Sequence, residues 1–589
     1  MIGINTILFS LTISASIAVA APDGIFGWST ITPSANLTYL PCFEKFQCAR
    51  LLLPLDWLNE NTTDTVSIAI IKLPAAVHQD DPTFGGAILT NPGGPGGSGI
   101  DYLLGRGSML QSLIDIPGQK HYEYISFDPR GVGASRPRID CYPANNLARL
   151  AKLLEWRASG AVSLSPASFA FQHYSAKAFA KRCEKTNAEV LPFVNSPSVA
   201  RDMVAMVDKI AELRQGQAMQ HNSTATQTLS HDANEDVPRL QYIGFSYGTV
   251  LGNYFASLFP ERVGRMVLDG VVDSYDYSDG PDTDKMMEIF FEGCFNAGSE
   301  VCQLRQASDK TPSDISKRTW SWINARDAEP IQATSFDGST DVLLRSAEIR
   351  GLIFMSLYSA DYSFFPLASI LAEALKGNTK PLIEMLLMGV SDLTNQCIIS
   401  NNTMSTSQEM NDDAYKAVLC GDGSNVSDQD SNYWKRYMDR QVSISTLAGD
   451  VATMARLSCA GWRVRPNWSF KGPFKTPAPS KDPSAPEAGH PAAPLLFLSS
   501  RWDPVTPLRS AYTMASRHPG AGVLVENSMG HTLIGAGKVS ECSKQVVSEY
   551  FDKGVVPKKE VLCEGVKSPW DGKPLGVIRR RTTYNLLGV

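Results

Sequence analysis

An α/β fold on a mostly parallel sheet, broken by a large helical insertion, is what the sequence predicts, on three observations. Residues 240–243 (LQYI) read as a short apolar strand, 249–259 as a helix closed by Pro260, and 265–268 as a second strand. Strand, helix and strand in that order make a βαβ unit and favour parallel pairing. That rhythm stops at Tyr275, and up to about Trp468 the apolar spacing is helical instead. It resumes at 494–500 (PLLFLSS) and 522–526 (GVLVE), so the helical stretch is inserted into one α/β unit.

The first twenty-two residues carry no charged side chain, with an apolar run at 7–19 and a small-x-small pattern at Ala18-Val19-Ala20. This is the pattern of a secretory signal peptide over 1–20; the missing basic residue at its start leaves an uncleaved anchor as the alternative. No later run reaches the length of a membrane span. Six Asn-x-Ser/Thr sequons agree with export, at Asn36, Asn61, Asn222, Asn401, Asn425 and Asn467. So do eleven cysteines, most of which pair off at short separation: Cys42 with Cys48, Cys294 with Cys302, Cys420 with Cys459, Cys542 with Cys563. Cys141 with Cys183 is a looser pairing and leaves Cys397 over. Spacing does not fix connectivity, but none of these spacings makes a zinc site, and disulfides in an oxidising compartment fit best. The final destination, whether medium, cell wall or vacuole, is left open.

With 589 residues, 43% apolar and 19% charged, the composition is globular. A net charge of −6 and the lack of a basic stripe give no reason to expect nucleic acid. The one basic run, Arg579-Arg580-Arg581, lies in a C-terminal tail (566–589) and reads as solvated.

In the first part of the core, 21–274, residues 42–57 and 66–73 read as paired strands, the second β-branched like an antiparallel edge. Residues 86–90 form a buried-type strand running into Asn91-Pro92-Gly93-Gly94-Pro95-Gly96-Gly97-Ser98-Gly99. So many glycines let backbone N–H groups face a cavity, and a phosphate cradle is disfavoured because no Gly-Lys-Ser/Thr follows. After a strand at 124–127, Asp128 and Arg130 are expected to form an internal ion pair that scaffolds their loop. Residues 141–235 are helical with polar interruptions, including an amphipathic helix at 198–213 and a polar surface excursion at 215–236. The insertion, 275–470, carries helical patterns at 285–295, 346–359, 364–376, 412–419 and 442–454. Its aromatics (Phe354, Tyr358, Tyr362, Phe364, Phe365) make a helical core, with some at a pocket mouth. Seven prolines at 473–494 mark 471–493 as a stiff linker, and 494–565 is the second part of the core.

The chemistry centres on Gly244-Phe245-Ser246-Tyr247-Gly248. Gly-x-Ser-x-Gly at a strand-to-helix turn strains the serine backbone and lifts its side chain clear of the sheet, the nucleophile elbow of the α/β-hydrolase fold. A Cβ on either glycine would collide with the neighbouring strand or helix. The helix start brings unpaired N–H groups and a positive dipole end close to the serine. A serine hydroxyl needs a base to take its proton, and the base needs a carboxylate to hold its tautomer. In this fold they follow in the order serine, acid, histidine.

Three histidines follow Ser246: His490 in the proline segment, His518 at a helix end and His531 after a strand. Gly530 frees the His531 loop to bring the imidazole over the nucleophile, so His531 is the expected base. Asp503 is the only carboxylate in the loop after 494–500, stiffened by Pro504 and Pro507, and is the expected acid. The oxyanion hole is assigned to the N–H groups of Tyr247 and Gly94, each worth roughly 3 kcal/mol in a transition state. No metal or organic cofactor is called for, and serine at the elbow argues against dehalogenase or epoxide hydrolase chemistry.

Across nearly all of the mature chain the sequence resembles the tripeptidyl and prolyl aminopeptidase branch of the α/β-hydrolases, with its TAP-like C-terminal region. The resemblance rests on NPGGPGGSG, FDPRGVGAS, GFSYGT with FPERVGRMVLDGVVD, LYSADYSFFPLASILAEALKG, VLCGD, CAGW, and SRWDPVTP with the late Gly-His. It places Ser246, Asp503 and His531 on the family's catalytic positions and Gly94 in its oxyanion loop. It implies release of short peptides or a prolyl residue from a free N-terminus, under a helical lid that offers acidic groups to the substrate ammonium. Glu288 and Glu292 on the first lid helix are the candidates for that role. Pro92 stands where many proline iminopeptidases have histidine, and the same triad serves carboxylesterases or lactonases, so the substrate is a peptide or a small ester. Oligomeric state is not determined by these features.

Overall fold

The computed structural model describes residues 26–570, apart from 144, 222–236, 276–281, 335–340, 388–411, 538, 559 and 566–567. The leader at 1–20, Asn222, Asn401, Cys397 and the arginine run at 579–581 lie outside the described residues.

The strands run β1 (Leu40–Cys42), β2 (Phe46–Pro54), β3 (Thr65–Leu73), β4 (Phe84–Asn91), β5 (His121–Phe127), β6 (Leu240–Phe245) and β7 (Val263–Asp269). A separate two-stranded hairpin, β8 (Ile331–Thr334) with β9 (Asp341–Leu344), precedes β10 (Leu496–Trp502), β11 (Gly522–Met529) and β12 (Val561–Glu564). Among the described residues the main sheet has ten strands in the order β1-β2-β3-β5-β4-β6-β7-β10-β11-β12. Pairing is antiparallel from β1 through β3 to β5 and parallel from there to β12. This is the α/β-hydrolase fold. β3 is paired on both sides and buried along nearly its whole length, so it is an interior strand and not the edge its pattern suggested.

Helices cover both faces. α1 (Gly99–Ile114) and α15 (Glu541–Lys553) pack one face through Ile100, Leu103, Val547 and Tyr550. α4 (Ser196–His221), α5 (Tyr247–Leu258) and α14 (Leu508–Ala515) pack the other through Val199, Met203, Val250, Phe255 and Met514. α2 (Asn146–Ser159) and α3 (Pro166–Asn187) form a helical pair before α4. α4 extends through residue 221, so the start of the expected polar excursion is helix; the rest lies outside the described residues.

The insertion divides between two cores. α6 (Thr283–Ala297), α7 (Pro312–Ala325), α8 (Ser346–Leu357), α9 (Ala360–Leu375) and α10 (Lys380–Leu387) pack on one another through Phe290, Ile323, Ile353 and Phe364. α11 (Asp412–Asp422), α12 (Ser431–Ile444) and α13 (Gly449–Leu457) join the core of the α/β unit through Ala417, Trp434 and Leu457. The single helix expected at 442–454 is two, because residues 445–448 turn: Ser445 is buried, and its hydroxyl donates to Asp284 at 2.7 Å. The proline stretch is not a free spacer. Phe474 and Ser480 are buried, the Phe474 N–H donates to the Tyr275 hydroxyl at 2.8 Å, and the Ala492 N–H donates to the Val263 carbonyl at 2.8 Å.

Among the described residues five disulfides are present, and they are the five sequence pairings: Cys42–Cys48, Cys141–Cys183, Cys294–Cys302, Cys420–Cys459 and Cys542–Cys563. No helix among the described residues is long and apolar enough to cross a membrane.

Candidate active site

Strand order alone brings the site residues to one edge. Asn91 pairs with Gly244, and Phe245 with Asp269, which is also the partner of Leu498. The loops leaving β4, β6, β7, β10 and β11 therefore open side by side at the carboxyl end of the sheet, where open α/β sheets hold their ligands.

Ser246 sits at φ 55°, ψ −124°, a conformation an L-residue holds only when its surroundings enforce it. Its N–H donates to the Asp269 carbonyl at 3.0 Å, and its own carbonyl accepts the Thr249 hydroxyl at 2.6 Å. Both elbow glycines are sterically required. A Cβ on Gly244 would lie 2.3 Å from the Gly248 carbonyl oxygen, and one on Gly248 would lie 2.6 Å from the Asn91 carbonyl oxygen. Neither the Ser246 hydroxyl nor His531 Nε2 forms a hydrogen bond within the described chain. Such bonds are often long in unliganded sites and tighten with substrate.

The glycine loop presses against this elbow. A Cβ on Gly93 (φ 99°) would come within 2.5 Å of the Phe245 carbonyl oxygen, 2.9 Å of Ser246 Cβ and 3.0 Å of the Tyr247 nitrogen. The Gly93 N–H is taken by Asn91 Oδ1 at 3.0 Å, whereas those of Gly94 and Tyr247 have no acceptor among the described residues. Tyr247 is the first residue of α5, so its N–H is one of the unpaired donors of a helix start.

His531 and Asp503 meet as expected. Nδ1 lies 2.9 Å from Asp503 Oδ2 and 3.0 Å from Oδ1, which puts the ring proton on Nδ1 and leaves Nε2 unprotonated. Asp503 is fully buried and also accepts the Val505 N–H (2.8 Å), the Thr506 N–H (2.7 Å) and the Thr506 hydroxyl (2.7 Å). Burial alone would raise its carboxyl, but the imidazole charge and these hydrogen bonds overcome that and hold it below the usual value. For His531, burial acts to lower the imidazole. The charge and hydrogen bond of Asp503, reinforced by the charge of Asp269, outweigh it and leave the ring raised.

The remaining candidates fall elsewhere. His518 is buried, with Nε2 3.0 Å from Asn253 Oδ1, and burial pushes its imidazole down to about 4. His490 bonds the Ala478 carbonyl in the proline segment at 2.7 Å. Arg130 does not pair with Asp128: its guanidinium grips Asp202 with two bonds of 2.6 and 2.7 Å. Asp128 instead accepts the Ser98 hydroxyl (2.6 Å) and the N–H groups of Ile100 (3.2 Å) and Ala134 (2.7 Å), fastening the glycine loop's exit. Glu288 and Glu292 are exposed, and Glu288 pairs with Lys285 at 2.8 Å; no contact links either to the site among the described residues.

Two contributions were missed in sequence. The corner between α8 and α9 touches the histidine loop: the His531 N–H donates to the Tyr358 carbonyl at 3.0 Å and the Met529 N–H to Asp361 Oδ2 at 3.1 Å. The Tyr358 ring meets the imidazole edge-on at 5.2 Å. A Cβ at Gly530 (φ 134°) would be 2.8 Å from that same Tyr358 carbonyl, so this glycine admits the lid as well as freeing the loop. The second is Asp269, whose signal was an acid at the end of a strand beside the nucleophile strand.

The sheet order and the elbow define an α/β-hydrolase. Residues 445–563 match the family described as TAP-like protein. The chain is 24% identical over 559 residues to tripeptidyl aminopeptidase of Streptomyces coelicolor, covering 94% of this chain and 88% of that one. It is 26% identical over 530 residues to serine protease Hip1 of Mycobacterium tuberculosis, covering 88% and 87%. Carboxylesterase B of Mycobacterium tuberculosis is 25% identical over 524 residues, covering 88% and 86%. With its TAP-like C-terminal region, this protein is a serine hydrolase.

Proposed function

We propose that the protein is a secreted exopeptidase that releases short peptides or a prolyl residue from free peptide N-termini. Ser246 is its nucleophile, His531 its base and Asp503 the carboxylate that holds the base. The observation that carries this is the Asp503–His531 pair at 2.9 Å, on loops beside the strained turn that presents Ser246. His531 Nε2 takes the proton from Ser246 Oγ as that oxygen bonds to the scissile carbonyl carbon. The carbonyl oxygen becomes an anion facing the N–H groups of Tyr247 and Gly94. Each donor is worth roughly 3 kcal/mol to that intermediate. The intermediate collapses with loss of the amine, which takes the proton from the imidazolium. Water then attacks the acyl-enzyme with its proton passing to Nε2, and the serine is restored.

Export is supported by the leader pattern at 1–20 and the five disulfides. The N-terminal preference is supported by the relative named tripeptidyl aminopeptidase. A carboxylesterase using the same groups is the second reading, favoured by the relative named carboxylesterase B. The test is a set of peptidyl reporters with free or acetylated N-termini and simple aryl esters, with Ser246→Ala as control. The expected result is cleavage of the free-amine peptides alone, abolished in the variant. Equal turnover of acetylated peptides, or turnover of esters only, would transfer the assignment to the esterase.

A further inference from the structure

Asp269 ends β7 and is fully buried at the junction of three site elements. Its main-chain carbonyl accepts the Ser246 N–H at 3.0 Å. Its carboxylate accepts the Leu533 N–H at 2.7 Å and the Gly535 N–H at 3.0 Å, both on the loop that carries His531. The next residue, Gly270, lies beneath the base: a Cβ there would be 3.3 Å from His531 Cε1 and 2.7 Å from Thr532 Cγ2. The histidine loop thus hangs from two carboxylates, since Asp503 also accepts the Thr532 N–H at 3.2 Å.

No Lys or Arg among the described residues forms a salt bridge with Asp269. A buried carboxylate held by two amide donors and no cation is an expensive fastener, and a neutral side chain could hold the same loop. What the carboxylate adds is charge beside an imidazole that must become a cation when it takes the serine proton.

Resting on the proposed triad, we infer that Asp269 is a positioning residue for the reaction, fixing Ser246 through its main chain and the His531 loop through its carboxylate, and supplying a second negative charge that favours the imidazolium. The charged groups that act on it are His531 and Asp503 on the two loops; Asp361, on the lid corner, takes the Met529 N–H at the start of the histidine loop. Arg106 of α1 donates to the Ala536 carbonyl at 3.5 Å. The adjoining end of β6 contributes Phe245 and Ser246, which carry no charge. Burial pushes the Asp269 carboxyl up to about 7; the Gly535 and Leu533 N–H groups and the imidazole charge oppose that rise, and the charge of Asp503 adds to it. Asp269 therefore titrates in the range where His531 works, and both must be unprotonated for acylation.

The test is the pH dependence of inactivation by a neutral fluorophosphonate, which brings no ionisation of its own. In the wild-type protein the acid limb of the logarithmic rate profile is expected to reach a limiting slope of about two, one proton from each group. In Asp269→Asn the slope falls to about one, and the limb moves to lower pH as the imidazole loses its neighbouring charge. Peptide turnover in that variant falls about ten- to a hundredfold in kcat, with KM changed less than about threefold. A wild-type slope of one, or a folded Asp269→Asn protein with unaltered kcat, overturns the inference. If Asp269→Asn does not fold, as judged by circular dichroism, the wild-type slope alone decides. Labelling that persists in Ser246→Ala would instead refute the underlying triad, and the two failures remain distinct.

Discussion

At the scale of single residues, the site depends on atoms that are absent as much as on those present. Gly93 has φ 99°, and its missing Cβ is what lets the glycine loop lie against the Phe245 carbonyl and the Tyr247 nitrogen. Gly93→Ala is expected to displace the loop and spoil the geometry shared by the Tyr247 and Gly94 donors. The expected loss in kcat is about a hundred- to a thousandfold, the effect of removing one oxyanion donor, read with a peptidyl reporter. Asp503, the proposed acid of the triad, is the opposite case, a residue whose charge and tautomer control would both matter. Asp503→Asn preserves shape but turns the wrong ring nitrogen toward Ser246, so kcat is expected to fall by about four orders of magnitude with little loss of fold. A drop of less than tenfold would mean that another group holds the imidazole.

At the scale of elements, the helical insertion is tied to the loop that carries His531 and does not merely shade it. The Tyr358 carbonyl and the Asp361 carboxylate take the N–H groups of His531 and Met529, so the α8–α9 corner is part of the histidine's mounting. Asp361→Ala leaves the Met529 N–H without that acceptor, at a cost of about 1–3 kcal/mol if it stays buried. Hydrogen exchange at residues 529–533 is expected to accelerate while exchange in β6 is unchanged. Exchange that stays at the wild-type rate would show that the corner does not hold the loop. A second tie runs through α11. The Ser196 hydroxyl contacts Tyr247 Oη and donates to Asp422 at 2.5 Å, linking α11 to the first residue after Ser246. The Cys420–Cys459 disulfide closes a separation of 39 residues around α11, α12 and α13. On a chain-entropy basis it contributes about 4 kcal/mol, which urea unfolding of the Cys420→Ser/Cys459→Ser protein would measure.

At the scale of the whole molecule, several buried groups favour a mildly acidic solvent. Burial raises Asp269 to about 7 and Asp422 to about 6, in each case against opposing hydrogen bonds and positive charges. A carboxyl that binds its proton more tightly folded than unfolded loses stability between its unfolded value of 3.8 and its folded one, that is, as pH rises from about 4 to about 7. His531 has the same sign: its contribution is complete below its unfolded value of 6.5 and is lost as pH rises through its raised folded value. Asp503 has the opposite sign, contributing above 3.8 and losing that contribution as pH falls through its lowered folded value. The sum of these four peaks near pH 4; His518, whose imidazole burial lowers to about 4, opposes part of the decline below pH 6.5, and the urea midpoint is expected to fall from about pH 5 to about pH 8. A midpoint that rises over that range would contradict the assignment. Activity that needs ionised Asp269 would climb over the same interval, so stability and turnover pull apart.

Much of this was legible in the chain because it is local. The Gly244–Gly248 elbow, the glycine loop after β4, and the acid and histidine at the ends of β10 and β11 each declare themselves within a few residues. A backbone conformation is set by its neighbours and by the side chains that sterics forbid. The disulfides were legible for a related reason, their partners being at most 42 residues apart. Partnerships across long separations were not legible. Arg130 stands two positions from Asp128 yet grips Asp202, because the loop turns the two side chains apart and a distant helix supplies the nearer carboxylate. Asp269 meets Leu533 across 264 residues, and Asp361 meets Met529 across 168. Which carboxylate shares a buried space with a given N–H depends on strand order and helix packing, and those follow from the burial of the whole apolar surface at once. The sequence by itself determined the fold and pointed to Ser246 and His531 as the proposed nucleophile and base; only the tertiary structure decided what holds them in place.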